Sequence, residues 1–521
     1  MADSPAAVAA AAAGSSDYPL FASTDGRFVP ATATSFPAKG IPRAHAEDFI
    51  EQYHLLDYKP RLNTSSYVNV EFDGHEKRLM ECASRVNIAD QTIYPGSWAL
   101  HNDTLSMVAR LWNAPEDAFD AVNSFPGAQT VGSTEACLLA GLALKMRWRS
   151  WYSKRYGVDK STTRGILPNI VISSCYQAAW EKFTRYMDVD LKIVRPQFDK
   201  NGFRISSDDV AEACDERTIG VVAIFGNHYS GDFDPVGEIS RRLEQLNTEM
   251  DWQIAIHVDA ASGGFVAPFL PEGSVEAWDF RLPNVVSISA SGHKFGLSSC
   301  GTGWIVWRRR HDLAEHVATS VTYLGGCGES YTLNFSRPAT GSYIQMYKFA
   351  TLGMEGYSRA IENQMQVASL IRKKLSEMRG EDNVTPRFLI LDSAYDTSEC
   401  CLPVVCAMLN PELDLPYNDQ DLQHVVAERH WYVSAYQLSF VHPSTDDVQA
   451  LLDNGPTQDQ TCFRIVVKCS LTAHLATDLI DTIRETVSFL DVAGAGYAKM
   501  HRVKPGHVRR VWTKPNEHAA C

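Results

Sequence analysis

From Gly132 onward the chain alternates helical patterns with short apolar runs rich in β-branched residues, and this alternation admits few folds. Strands are predicted at residues 169–174, 220–225, 253–259, 285–289 and 303–307. Helical periodicity separates several of them, as at 236–250. A helix over 133–150 would carry Ala136, Leu139, Ala140, Ala143 and Met146 on one face. Such alternation predicts an α/β fold, a mainly parallel central sheet with helices on both faces. A long helical pattern from about residue 342 to 378 leads into a smaller C-terminal α/β domain, with a strand near 463–468.

Composition divides the rest. Residues 1–44 include a stretch rich in Ala, Ser, Thr and Pro and read as a flexible tail. Residues 45–110 read as an N-terminal arm, 111–341 as the large domain, 342–490 as the small domain and 491–521 as a basic tail. A formal net charge of −14 over 521 residues argues against nucleic acid as the main partner, because phosphate binding draws on clustered Lys and Arg. No run reaches the roughly 18 apolar residues of a membrane span. Twelve cysteines are scattered without a Cys-x-x-Cys pair, and Cys137, Cys175 and Cys462 sit in apolar stretches as small core residues. That usage fits a reducing, cytoplasmic setting rather than a disulfide framework. The first residues are alanine-rich but carry Asp3 and lack a basic start, which makes a poor secretory signal. No metal site is expected.

Two segments carry chemistry. In Ser-Ile-Ser-Ala-Ser-Gly-His-Lys-Phe-Gly, residues 287–296, a lysine follows a strand and is flanked by small residues. In His-Val-Asp-Ala-Ala-Ser-Gly-Gly, residues 257–264, one carboxylate ends an apolar strand and small residues follow it. Ligands in open α/β sheets bind outside the carboxyl ends of strands, so Asp259 and Lys294 can serve one site from neighbouring strands. A lysine amine, an acid and room for a flat ring are what pyridoxal phosphate requires.

These segments, with Trp-Asp-Phe-Arg-Leu-Pro at 278–283, Trp-Glu-Lys-Phe-Thr-Arg-Tyr at 180–186 and Asn-Phe-Ser-Arg-Pro at 334–338, closely resemble the glutamate decarboxylases of the group II pyridoxal-phosphate decarboxylases. The resemblance runs from about residue 50 to about residue 490. It implies fold type I, an obligate homodimer and α-decarboxylation of a small acidic amino acid, L-glutamate first, to 4-aminobutanoate and CO₂. It also implies roles by position. Lys294 would hold the cofactor and Asp259 would pair with its ring nitrogen. Ala261 would pack against one ring face, and Gln177 matches a glutamine found in glutamate decarboxylases of bacterial type.

Ser133 and Thr134 precede a long helix; by residue type alone they are an ordinary cap, and the resemblance makes them phosphate ligands. His293 matches another phosphate contact, and Ser336 one supplied across the dimer interface. Tyr323 matches a loop tyrosine that donates a proton to Cα; by residue type alone it is a buried aromatic. Arg464 is a charge inside an apolar strand, which suits either an internal ion pair or a substrate carboxylate. The resemblance favours the carboxylate.

Two departures bear on the substrate. Ser66 and Tyr67 stand where the family has threonine and phenylalanine, in a pocket to which Asn87 and Asp90 also belong. His228 stands where a small hydroxyl residue is usual. Both changes keep aspartate or a sulfinate analogue in view as substrate, and decarboxylation coupled to oxidation as reaction. A non-catalytic regulatory relative is disfavoured by the retained Lys294, Asp259, Gln177 and Tyr323. The tail at 499–514 is basic and holds Trp512, as in calmodulin-binding plant relatives. Pro505 and Gly506 interrupt any helix there, and calmodulin is not expected as a partner.

Overall fold

The computed structural model describes residues 40–501, apart from 56, 58, 122–123, 160, 200–201, 314–316, 318, 322–327 and 396–399. Tyr323 and the tail beyond 501 therefore lie outside the described residues, as do residues 1–39. Residues 1–59 form one unit and residues 60–521 another. In the first, helix α1 (Arg43–His54) follows Pro42 and exposes Ile50.

In the second unit, α2 (Gly74–Ala83) starts with a capping box in which Asp73 accepts from the Glu76 amide and Glu76 reaches back. Helix α3 (Pro95–Leu111) precedes β1 (Gly127–Val131), α4 (Gly132–Tyr156) and β2 (Asn169–Ser173). Then come α5 (Ala178–Met187), β3 (Asp190–Val194), β4 (Thr218–Ile224), α6 (Val236–Met250), β5 (Ala255–Asp259), β6 (Val285–Ala290) and β7 (Thr302–Trp307). The seven strands form one sheet in the order β1-β7-β6-β5-β4-β2-β3. β7 pairs antiparallel with both neighbours and the remaining pairs are parallel, so the sheet is mainly parallel, as expected.

Period-2 alternation sends successive strand residues to opposite faces. Val171, Val221, Ala223, Ile256, Val258 and Ile288 pack with α6 and the end of α3. Ile170, Ile172, Val222 and Ile224 pack with α4 and α5. Ala136, Leu139, Ala140 and Ala143 of α4 cover β1 and β7, the face that their spacing predicted. Strands buried on both sides are continuous apolar runs, which is why five of the seven were legible.

Helix α7 (Thr340–Ser376) leads on, but the single helix expected there is broken at Gly353, where φ is 57° and ψ −168°. A second, antiparallel sheet follows, ordered β8-β9-β11-β10, from β8 (Phe388–Ile390), β9 (Val404–Leu409), β10 (Ser434–Gln437) and β11 (Thr461–Val466). Helices α8 (Asp419–Glu428) and α9 (Ala473–His501) pack on it through Leu422, Val425, Leu479 and Ile483.

Candidate active site

The carboxyl ends of β5 and β6 bring Asp259 and Lys294 to one place. Each residue is only 6% exposed, and among the described residues neither forms a salt bridge. The charges of both act on the buried Cys137 thiol, whose pKa rises through burial first and the nearby Asp259 charge second. The Lys294 amine donates to Ser262 Oγ at 3.2 Å. The Asp259 carboxylate accepts from Trp180 Nε1 at 2.8 Å, Ala261 N at 3.2 Å and Cys137 Sγ at 3.6 Å. Burying one ion without a counterion costs several kcal/mol. A buried amine and a buried carboxylate with only neutral partners are therefore built to meet an external group. A ring with a protonated nitrogen and a carbonyl carbon answers both. Ala261, two residues beyond Asp259, is half-buried, as is Gln177 at the N-cap of α5, the helix that carries Trp180.

The start of α4 forms an adjoining corner. Ser133 and Thr134 occupy its first turn, half-buried, where unpaired amides and the positive dipole end favour an anion. His293 comes close to the same turn: a Cβ on Gly132 would lie 3.9 Å from its Cε1. Its Nδ1 sits 2.6 Å from the Thr302 carbonyl, so Nδ1 carries the proton and donates. Burial, then the charge of Lys294, pulls the imidazole pKa down to about 4. Glu135, buried one turn in, accepts from Val131 N at 2.6 Å and Asn334 N at 2.8 Å. It ties the helix start to the segment that carries Ser336. Ser336 itself is exposed and takes a hydrogen bond from Asn87 Nδ2 at 3.3 Å. Asp90 is half-buried and accepts from Ile93 N at 3.1 Å. Asn87 and Ser336 are thus in direct contact, with Asp90 in the turn that follows Asn87.

Of the residues expected on the substrate side, Tyr67, His228 and Arg464 converge. Tyr67 is 2% exposed, with Lys294 Nζ 5.0 Å and the Arg464 guanidinium 4.7 Å from its ring centroid. Arg464, 1% exposed in central strand β11, also lies 5.3 Å from the Tyr436 ring and donates to the backbone carbonyls of His228 and Ser65. His228 is buried, with its ring 3.9 Å from that of Tyr229. Ser66 Oγ accepts from Val68 N at 3.2 Å and shapes the turn that presents Tyr67. Trp180, Cys137, Ser262 and Glu135 escaped assignment in the sequence. Only Glu135 left a local signal there, a carboxylate in the first turn of a helix.

An open, mainly parallel sheet with a buried lysine and a buried carboxylate at its strand ends defines a pyridoxal-phosphate enzyme of fold type I. A model of the pyridoxal-dependent decarboxylase conserved domain matches residues 79–387. A glutamate decarboxylase of Petunia hybrida is 34% identical over 484 residues, 92% of this chain and 88% of the relative. A probable glutamate decarboxylase gamma of Listeria monocytogenes is 38% identical over 426 residues, 81% of this chain and 84% of the relative. The solved glutamate decarboxylase of Lactobacillus brevis superposes with a TM-score of 0.76 at 33% identity, covering 88% of this chain and 95% of that one. The chain belongs to the pyridoxal-dependent decarboxylase family and is a pyridoxal-phosphate-dependent carboxy-lyase.

Proposed function

We propose that this enzyme removes the α-carboxyl group of L-glutamate, giving 4-aminobutanoate and CO₂. The observation that carries the reading is Tyr67, a ring with the buried Lys294 amine on hand at 5.0 Å and the Arg464 guanidinium at 4.7 Å. A candidate covalent anchor and a candidate carboxylate receptor thus both lie within 5.0 Å of one ring. The glutamate decarboxylases that share a third or more of their residues with this chain support the choice of substrate.

Bound pyridoxal phosphate supplies the electron sink that accepts the pair left on Cα as CO₂ departs. The rest falls to the chain. Lys294 Nζ would anchor the cofactor, and Asp259 would keep a proton on its ring nitrogen. Ala261 and Gln177 would pack against the ring. Ser133, Thr134 and His293 would hold the phosphate, with Ser336 supplied by a second subunit. Arg464 orients a substrate carboxylate by its fixed fork of donors. Ser66, Tyr67, Asn87, Asp90 and His228 shape the pocket, and Tyr323 returns a proton to Cα. The working form is a cytoplasmic homodimer, a reading supported by the exposed position of Ser336 beside Asn87.

A second reading, decarboxylation of aspartate or a sulfinate analogue, draws support from one contact. The Tyr67 hydroxyl, absent from the usual phenylalanine, reaches the His228 carbonyl at 3.3 Å, so both departures from the family meet in the pocket. Incubating the purified holoenzyme with acidic amino acids, with CO₂ and amine measured together, separates the two. Glutamate turned over fastest supports the first reading. A shorter diacid or a sulfinate preferred over it supports the second, and preference for an aromatic amino acid overturns both.

A further inference from the structure

Behind Asp259 runs a fully buried chain of polar side chains. Cys137 Sγ lies 3.6 Å from Asp259 Oδ2 and 3.8 Å from Ser289 Oγ. Ser289 Oγ lies 3.1 Å from His257 Nε2, and His257 Nδ1 lies 2.8 Å from Ser287 Oγ. None of these four residues exceeds 1% exposure. The strand register sets the chain: His257 stands opposite Ser287, and Asp259 opposite Ser289. Burial pulls the His257 imidazole pKa down to about 4, so the ring is neutral, with one N–H and one bare nitrogen.

The last link is fixed: an ionised carboxylate only accepts, so the thiol donates to Asp259. The remaining links admit an alignment that continues it, with the Ser289 hydroxyl donating to the sulfur, an Nε2–H of His257 donating to Ser289, and the bare Nδ1 accepting from Ser287. In that alignment every hydrogen bond points toward Asp259, and hydrogen bonds aligned in this way polarise one another. Trp180 adds an indole N–H to the same oxygen at 2.8 Å, and the Ala261 amide takes the other oxygen at 3.2 Å. A carboxylate has about four acceptor positions, so three protein donors leave about one.

We infer that Trp180 and Cys137, with the Ser287–His257–Ser289 relay behind the thiol, are positioning residues that aim Asp259 at a single cationic N–H. The site then selects a ring with a protonated nitrogen over an isosteric ring without one. This rests on the reading of Asp259 as partner of the ring nitrogen.

The test titrates full-length apoenzyme with pyridoxal phosphate and with the analogue in which CH replaces the ring nitrogen, and reads the ratio of their dissociation constants. Loss of a hydrogen bond to a charged group is worth about tenfold or more, so Trp180→Phe should lower the wild-type ratio by about tenfold and leave the analogue's affinity within about twofold. Cys137→Ala should lower the ratio by a smaller factor, and Cys137→Ser, which keeps a donor, should restore it. Nitrogen NMR should find the proton of His257 on Nε2 in the wild type and a mixture of tautomers in Cys137→Ala. An unchanged ratio in both Trp180→Phe and Cys137→Ala, with both ligands weakened together, would mean packing alone and overturn the inference. Equal wild-type affinity for the two rings would overturn the reading of Asp259 first and the inference with it. Should Trp180→Phe bind neither ring, the Cys137 pair of variants decides.

Discussion

The phenol of Tyr67 donates a hydrogen bond to the backbone carbonyl of His228 at 3.3 Å. Residues 161 positions apart, which the sequence resemblance marks as departures, are thus in direct contact. Arg464 donates to the same carbonyl, so one backbone oxygen connects both departures to the guanidinium expected to receive the substrate.

Tyr67→Phe removes this bond, whereas His228→Thr keeps the carbonyl and changes the side chain beside it, so the two should act non-additively through the backbone they share. Residues in contact typically show coupling of about 0.5 kcal/mol or more, and we expect that in kcat/KM for glutamate. If the wild type prefers glutamate, the double variant should change its KM by less than about tenfold. If the wild type prefers another acidic amino acid, the double variant should move toward glutamate. Strictly additive effects in a double-mutant cycle would show that the contact does not couple the two positions.

Lys294→Ala should lower decarboxylation by about 10³-fold or more, and arginine should not rescue it, because the role is covalent. The thermal midpoint of the apoprotein should hold or rise. Removing a buried amine that forms no salt bridge among the described residues also removes its desolvation cost. Activity near that of the wild type in either variant would end the assignment.

How much of this was legible beforehand can be told strand by strand. β5 ends on Asp259, and β6 is followed four residues on by Lys294, so each strand could be read together with its candidate site residue. β1 could not be read as a strand, since its first three residues, Gly-Ala-Gln, favour no strand and only Thr-Val do. It is a strand because of fit: a Cβ at Gly127 would stand 2.5 Å from the Ile305 carbonyl oxygen. β3 begins Asp-Leu-Lys and lies at the sheet edge, where polar residues blur the pattern. The reversed direction of β7 is a tertiary property that no local pattern encodes. Trp180 and Cys137 were likewise opaque. They meet Asp259 across 79 and 122 residues, through the packing of α5 and α4 on the sheet.

Tyr323→Phe should change the kind of product more than the rate of CO₂ release. Without a proton donor at Cα, the fraction of carbonyl product should rise relative to amine. Chromatographic quantification of both products gives the ratio. An unchanged ratio would reduce Tyr323 to a packing role.

His101 supplies a test of pH-linked stability. It is fully buried, accepts from Gln129 N at 3.0 Å through Nε2, and contacts Asn102 Oδ1 at 3.0 Å through Nδ1. Burial lowers its pKa from 6.5 to about 4. The unfolded chain binds this proton more readily, so the contribution is fully present above pH 6.5 and is lost as pH falls toward 4. Over that window the wild type should lose about 3 kcal/mol more than His101→Gln, which keeps an acceptor for Gln129. Urea unfolding at several pH values measures the difference, and parallel curves for the two proteins would refute it.

The glycines of β7 and α4 have an evolutionary reach. A Cβ at Gly303 would stand 2.4 Å from the carbonyl carbon and oxygen of Gly132, so main chain lies directly on main chain there. Gly132 holds φ at 74°, a value that side-chain-bearing residues rarely adopt. A descendant of this protein that abandoned catalysis would be free to replace Lys294 but would still be bound to these two glycines. They are the ancestry that a lineage retains after its chemistry has gone, and they would identify such a silent relative when the lysine no longer does.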